Sequence, residues 1–194
     1  MILFINPISE NICLFIVENG EVRHTSTIPK GKDYDAFPEM VNDIIDRQYI
    51  DTIWCVIGPG AFTRMRIVTL TLNTIAMVKN IPLKGCHFFE IVNSENPILR
   101  ANDREYIFLD EAGIPSLSPK ELIDPSKIYT GYALKNDFTD EKNFIEYSED
   151  HYWISEVFKK LPPTNRLSPI YLKEPHITWS KKNTYPSSKR TNKL

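Results

Sequence analysis

Two short apolar runs and a hairpin signal open the chain. Residues 2–5 are apolar and close at Pro7, residues 12–17 form a second run, and Asn19-Gly20 is a hairpin signal leading into a third stretch over 22–28. Three strands joined by short turns predict an antiparallel meander. The period then changes. Phe37, Met40, Val41, Ile44 and Ile45 recur at helical spacing, which predicts an amphipathic helix over 35–48. Asp35 can cap it, and Pro38 falls in the first turn, where a missing N–H is tolerated. Residues 52–57 (TIWCVI) are apolar without alternation, as in a central parallel strand. Gly58-Pro59-Gly60 follows, then a helical pattern over 62–79, stopped at Ile81-Pro82, and residues 83–87 can form the next parallel strand. The order helix–strand–turn–helix–strand across 35–87 predicts an α/β unit with a right-handed crossover.

The helix over 62–79 carries two apolar arcs. Met65, Val68, Leu72, Ile75 and Ala76 share one; Ile67, Leu70, Met77 and Val78 share the other, with Thr63, Arg66 and Thr74 among them. A helix apolar on two sides is covered on two sides. The sheet covers one. The other needs either the helix over 37–45 or a second protein, and spacing alone leaves both open. If the second arc is an interface, replacing Leu70 or Met77 with Glu leaves folding intact.

The second half is less periodic. Residues 106–109, 127–132 and 144–147 predict strands, and 152–161 a helix ended by Pro162-Pro163. Residues 110–125 carry three prolines and predict turn, while 169–172 form a short extended piece.

Composition narrows the class. The chain has 194 residues with 42% hydrophobic and 25% charged, enough for a core in one or two domains. Cys13, Cys55 and Cys86 are an odd, unpaired set in apolar stretches, which fits a reducing, cytoplasmic setting. No HxxxH pair is present, so no metal site is expected. The N-terminal run is too short for a signal peptide or membrane span. Charge is divided unevenly: residues 180–194 hold five basic and no acidic residues, leaving the body at −7. Such a tail either touches RNA phosphates or forms a solvated terminus.

Gly58, Gly60 and Ala61 lie between a strand and a helix start, where backbone N–H groups and the helix dipole can hold a phosphate; Arg64 and Arg66 would assist an anion there. No nucleophile–base pair is visible.

Residues 58–67 read GPGAFTRMRI, which resembles the GPGSFTGLRIG signature of the TsaB (YeaZ) family, the accessory subunit of bacterial tRNA threonylcarbamoyladenosine synthesis. The ENGEV hairpin, the helix over 35–48, the strand TIWCVI and Ile81-Pro82-Leu83 agree with that family's first lobe over 1–92, and SPIYLK at 168–173 resembles its closing element. The resemblance implies an α/β, actin-like or Hsp70-like ATPase (ribonuclease H-like) fold. It would have an N-terminal lobe over 1–92, a shortened, degenerate second lobe over 93–179 and a basic tail over 180–194. It implies a non-catalytic, cytoplasmic subunit without cofactor. Such a subunit pairs with a TsaD-type transferase, reaches a TsaE-type ATPase through the complex, meets tRNA indirectly or through the tail, and forms a weak homodimer alone. The implied partner contacts are Phe37, Met40, Val41, Ile44, Phe62, Thr63, Arg66, Ile67, Leu70, Thr74 and Met77.

Three departures stand out. Asn6-Pro7-Ile8-Ser9 replaces the acidic phosphate loop of active members of the fold; Asn6 lacks a metal-binding carboxylate and Pro7 lacks a backbone donor. Arg64, Val68 and Leu72 stand where the family tends to have Gly, Gly and Ala. The second lobe is short. The alternative is an ATP-binding small-molecule kinase or ATPase of the same fold, which Asn6 disfavours. A peptidase ranks last, because no catalytic motif supports it.

Overall fold

The computed structural model describes residues 1–31 and 33–172. Strands β1 (Ile2–Asn6), β2 (Ile12–Glu18) and β3 (Glu21–Ile28) form the expected meander. Helix α1 (Asp33–Arg47) leads to β4 (Thr52–Val56), and α2 (Phe62–Lys79) leads to β5 (Leu83–Cys86). The first sheet has the order β3-β2-β1-β4-β5, with β1, β4 and β5 parallel. Helix α1 begins two residues before Asp35, which therefore sits in the first turn rather than at the cap.

The short helix α3 (Phe88–Ile91) precedes a second sheet of β6 (Pro97–Arg100), β7 (Glu105–Leu109), β8 (Pro115–Pro119), β9 (Tyr129–Tyr132) and β10 (Phe144–Glu146), ordered β10-β9-β6-β7-β8. Strand β8 lies within the stretch expected to be turn. It is an edge strand, where proline's missing donor costs no interior ladder bond. In β9, Gly131 is required: a Cβ there would lie 1.7 Å from the Ile98 carbonyl oxygen.

Strands β1, β2 and β4 of the first sheet bury both faces, while the edge strand β3 is largely exposed. Leu3, Ile5, Ile53 and Cys55 pack with Phe37, Val41, Val68 and Leu72 under α1 and α2. Phe4, Phe15, Trp54 and Val56 pack on the other side with Phe88, Leu99, Ile107, Ile154 and Phe158. This two-sided burial is why TIWCVI shows no alternation. Helix α4 (His151–Lys160) belongs to this second core, where Phe158 stacks on Trp54 with ring centroids 5.0 Å apart.

The chain then returns to the first sheet. Thr164 bridges to Leu83, Leu167 joins the core under α2, and Ile170 N–H donates to the Ile57 carbonyl at 2.8 Å. Residues 93–172 thus contribute to both sheets; the rest of the expected second lobe, 173–179, and the tail over 180–194 lie outside the described residues. Among the described residues, no helix is long and apolar enough to cross a membrane.

Candidate functional site

Helix α2 resolves the question of its two arcs. Met65, Val68, Thr69, Leu72, Ile75 and Ala76 are buried. Leu70, Met77 and Val78 are 64%, 77% and 70% exposed. Thr63, Arg66 and Thr74 are exposed on the same side, and Ile67 is half-buried. The stripe therefore runs outward along the whole helix. Leaving Leu70, Met77 and Val78 in water forgoes several kcal/mol of burial, of order 2 kcal/mol for a large apolar side chain. Thr74 does not require an outside partner, since its hydroxyl donates to the Leu70 carbonyl at 2.9 Å.

Helix α1 contributes less surface than its periodicity suggested. Phe37 and Val41 are fully buried and Ile44 nearly so, all packed against the first sheet and α2. Their stripe is the chain's own core. Met40 is half-buried at its margin. An ion pair between Lys79 Nζ and Asp46 Oδ1 at 2.8 Å ties the two helices together at the surface.

The turn before α2 is shaped by packing. Gly58 has φ +129°, and a Cβ there would lie 2.7 Å from the Ile170 carbonyl oxygen. Gly60 is wedged between Ile8 and Met65, with an added Cβ 3.0 to 3.1 Å from their side-chain atoms. These glycines admit the returning C-terminal segment and the turn over residues 7–11. That segment is fastened twice more. Asn73 Nδ2 donates to the Leu167 carbonyl at 3.0 Å while Leu167 N–H donates to Asn73 Oδ1 at 2.7 Å, and the Phe62 and Tyr171 rings meet at 4.6 Å.

Among the described residues, Arg64 reaches back to the turn over residues 7–11. Its guanidinium donates to the carbonyls of Ser9 at 2.7 Å and Glu10 at 2.9 Å. The expectation that it would assist phosphate binding is corrected on that ground; its role was hidden because its partners lie over fifty residues away. Arg66 remains exposed beside the stripe.

A cleft of about 850 Å³ opens beside Gly60, Ala61 and Arg64, facing Leu99, Tyr132 and Leu172. Behind the lining residue Tyr132, Asn6 is fully buried. Its Nδ2 donates to Glu149 Oε1 at 3.0 Å and approaches the Tyr132 hydroxyl at 3.2 Å, and its Oδ1 accepts from Ile8 N–H. Burial and the Glu149 charge raise the Tyr132 and Tyr147 hydroxyls above the ordinary tyrosine range. Burial likewise raises the Cys13, Cys55 and Cys86 thiols, so none is activated as a thiolate. Among the described residues, no three His, Cys, Asp or Glu side chains are grouped to hold a metal ion.

The class defined by these features is a mixed α/β protein of two five-stranded sheets with an apolar helix face turned outward. The chain shares its fold with solved YeaZ structures. It is similar to a crystal structure described as an uncharacterized protein with similarity to peptidase YeaZ from Pseudomonas aeruginosa, with TM-score 0.62 and 17% identity over 89% of this chain and 99% of that one. It is also similar to YeaZ from Pseudomonas aeruginosa, with TM-score 0.50 and 21% identity over 67% of this chain and 75% of that one. No family model and no curated protein matches the chain.

Proposed function

We propose that the chain is a TsaB-type subunit with an actin-like fold. In this reading it supports threonylcarbamoyl transfer to tRNA by pairing with a TsaD-type transferase, and it catalyses nothing itself. The observation that carries the reading is the outward stripe of α2: Thr63, Arg66, Ile67, Leu70, Thr74 and Met77 occupy one face, and of these only the half-buried Ile67 packs against the core. An exposed apolar face rimmed by polar residues is the signature of a protein–protein site. The signature sequence over 58–67 and the shared fold with YeaZ structures support the partner's class.

A nucleotide-using enzyme is disfavoured by the end of β1 and the turn that follows it. Asn6 spends its side chain on Glu149 and Ile8 N–H, Pro7 offers no donor, and the carbonyls of the adjoining turn bind a cation. Calorimetry with Mg-ATP on the isolated chain is expected to give no tight binding; micromolar binding would revive the kinase alternative. The same apolar face on two copies allows a weak two-fold homodimer that the transferase displaces. Co-purification of wild-type chain and transferase, lost on Leu70→Glu, tests the reading. Pairing unaffected by Leu70→Glu would place the interface elsewhere.

A further inference from the structure

The start of α2 has none of the usual local devices that fix a helix end. Its N-cap is Ala61, which makes no side-chain capping bond, and its first turn has no acidic residue. Arg64 and Arg66 there oppose the helix dipole. Something else must hold this end, which carries Thr63 and Arg66 of the stripe.

The turn over residues 7–11 supplies it. Its internal bonds leave carbonyls facing the helix: Ile8 N–H is taken by Asn6 Oδ1, and the Ser9 hydroxyl donates to the Asn11 carbonyl. The Arg64 guanidinium forks across the Ser9 and Glu10 carbonyls, with the Pro7 carbonyl at 3.5 Å. Ile8 stacks over Gly60 and Met65 in the same place. A planar cation with several fixed donors suits a row of carbonyl oxygens, whereas phosphate would be repelled by them.

We propose that Arg64 is a positioning residue for the partner site. It fastens the 7–11 turn to the first turn of α2 and so fixes the N-terminal end of the stripe. This rests on reading the stripe as the partner site.

The test is amide hydrogen exchange on the full chain, comparing wild type with Arg64→Ala and Arg64→Lys. In Arg64→Ala, amides over 8–11 and 62–67 are expected to exchange about tenfold faster, with α4 unchanged. Lysine reaches fewer acceptors and gives an intermediate rate. Guanidinium chloride at about 20 mM, far below denaturing levels, is expected to restore protection in Arg64→Ala where equal sodium chloride does not. Unchanged protection in both segments, or no difference between the two salts, would overturn the proposal. If Arg64→Ala does not fold, Arg64→Lys carries the comparison. With the transferase, Arg64→Ala is expected to bind about tenfold more weakly and to recover with guanidinium; equal affinity would also overturn it. A wild-type chain that binds no transferase would sink the partner reading and leave the exchange result to stand or fall by itself.

Discussion

Asn6 Nδ2 donates to Glu149 Oε1 at 3.0 Å, joining the end of β1 to a residue 143 positions away, just before α4. The amide at this position ties the second half of the chain to the first sheet. Asn6→Ala is expected to cost about 2–3 kcal/mol, because it removes a bond to a charged acceptor and the bond that Asn6 donates to the Tyr132 hydroxyl. Urea unfolding at constant m-value measures it. Asn6→Asp sets a second carboxylate beside Glu149; a larger loss than for alanine is expected, with no gain of Mg-nucleotide binding by calorimetry. Stability equal to wild type would refute the strap.

The two faces of α2 are expected to respond oppositely to substitution. Leu70→Glu or Met77→Glu changes stability by no more than about 0.5 kcal/mol, as at ordinary surface positions, while abolishing association. Phe37→Ala, inside the core, is expected to cost about 3–5 kcal/mol. Thermal melts alongside chromatography separate the two. Unfolding by Leu70→Glu would show that the stripe is core.

Gly58→Ala forces a Cβ against the Ile170 carbonyl at a backbone angle that side chains rarely adopt. A loss of about 1–3 kcal/mol is expected. Limited proteolysis should then cut first within 165–172, as the returning segment detaches. Protection unchanged there would mean the turn relaxes without releasing it.

Helix α2 was legible because its pattern is long and Pro82 ends it, so its bounds fall at 62 and 79 as read. The stripe of Phe37, Val41 and Ile44 was equally legible as a face and ambiguous as to what covers it, since apolar periodicity marks burial without naming the neighbour. Strand β8 was hidden by Pro115 and Pro119, which read as turn but are tolerated at a sheet edge. Helix α3 is only four residues long and shows no period. The bonds from Asn6 to Glu149 and from Arg64 to Ser9 join residues far apart in sequence, and no local spacing signals such pairs. The misplaced charge of Arg64 was visible; its acceptors were not.

His151 supplies a pH dependence. Burial lowers its pKa below 6.5, against the opposing charges of Glu149 and Asp150; its ring packs edge-on to Phe15 at 4.7 Å, and its Nδ1 is buried without a partner. The folded state holds it neutral where the unfolded chain protonates it. Its contribution is therefore complete above pH 6.5 and lost as the pH falls below 6.5 toward its folded value. His151→Phe keeps the aromatic packing and is expected to flatten the stability profile just below pH 6.5. An unchanged slope in that variant would assign the acid sensitivity to other groups.

The most direct measurement is size-exclusion chromatography with light scattering, on the chain alone and mixed with the TsaD-type protein from the same source, with Leu70→Glu run in parallel. The expected result is a one-to-one complex for wild type and separate species for the variant. Two separate species in the wild-type mixture would contradict a partner-subunit role and leave the outward stripe of α2 without its proposed function.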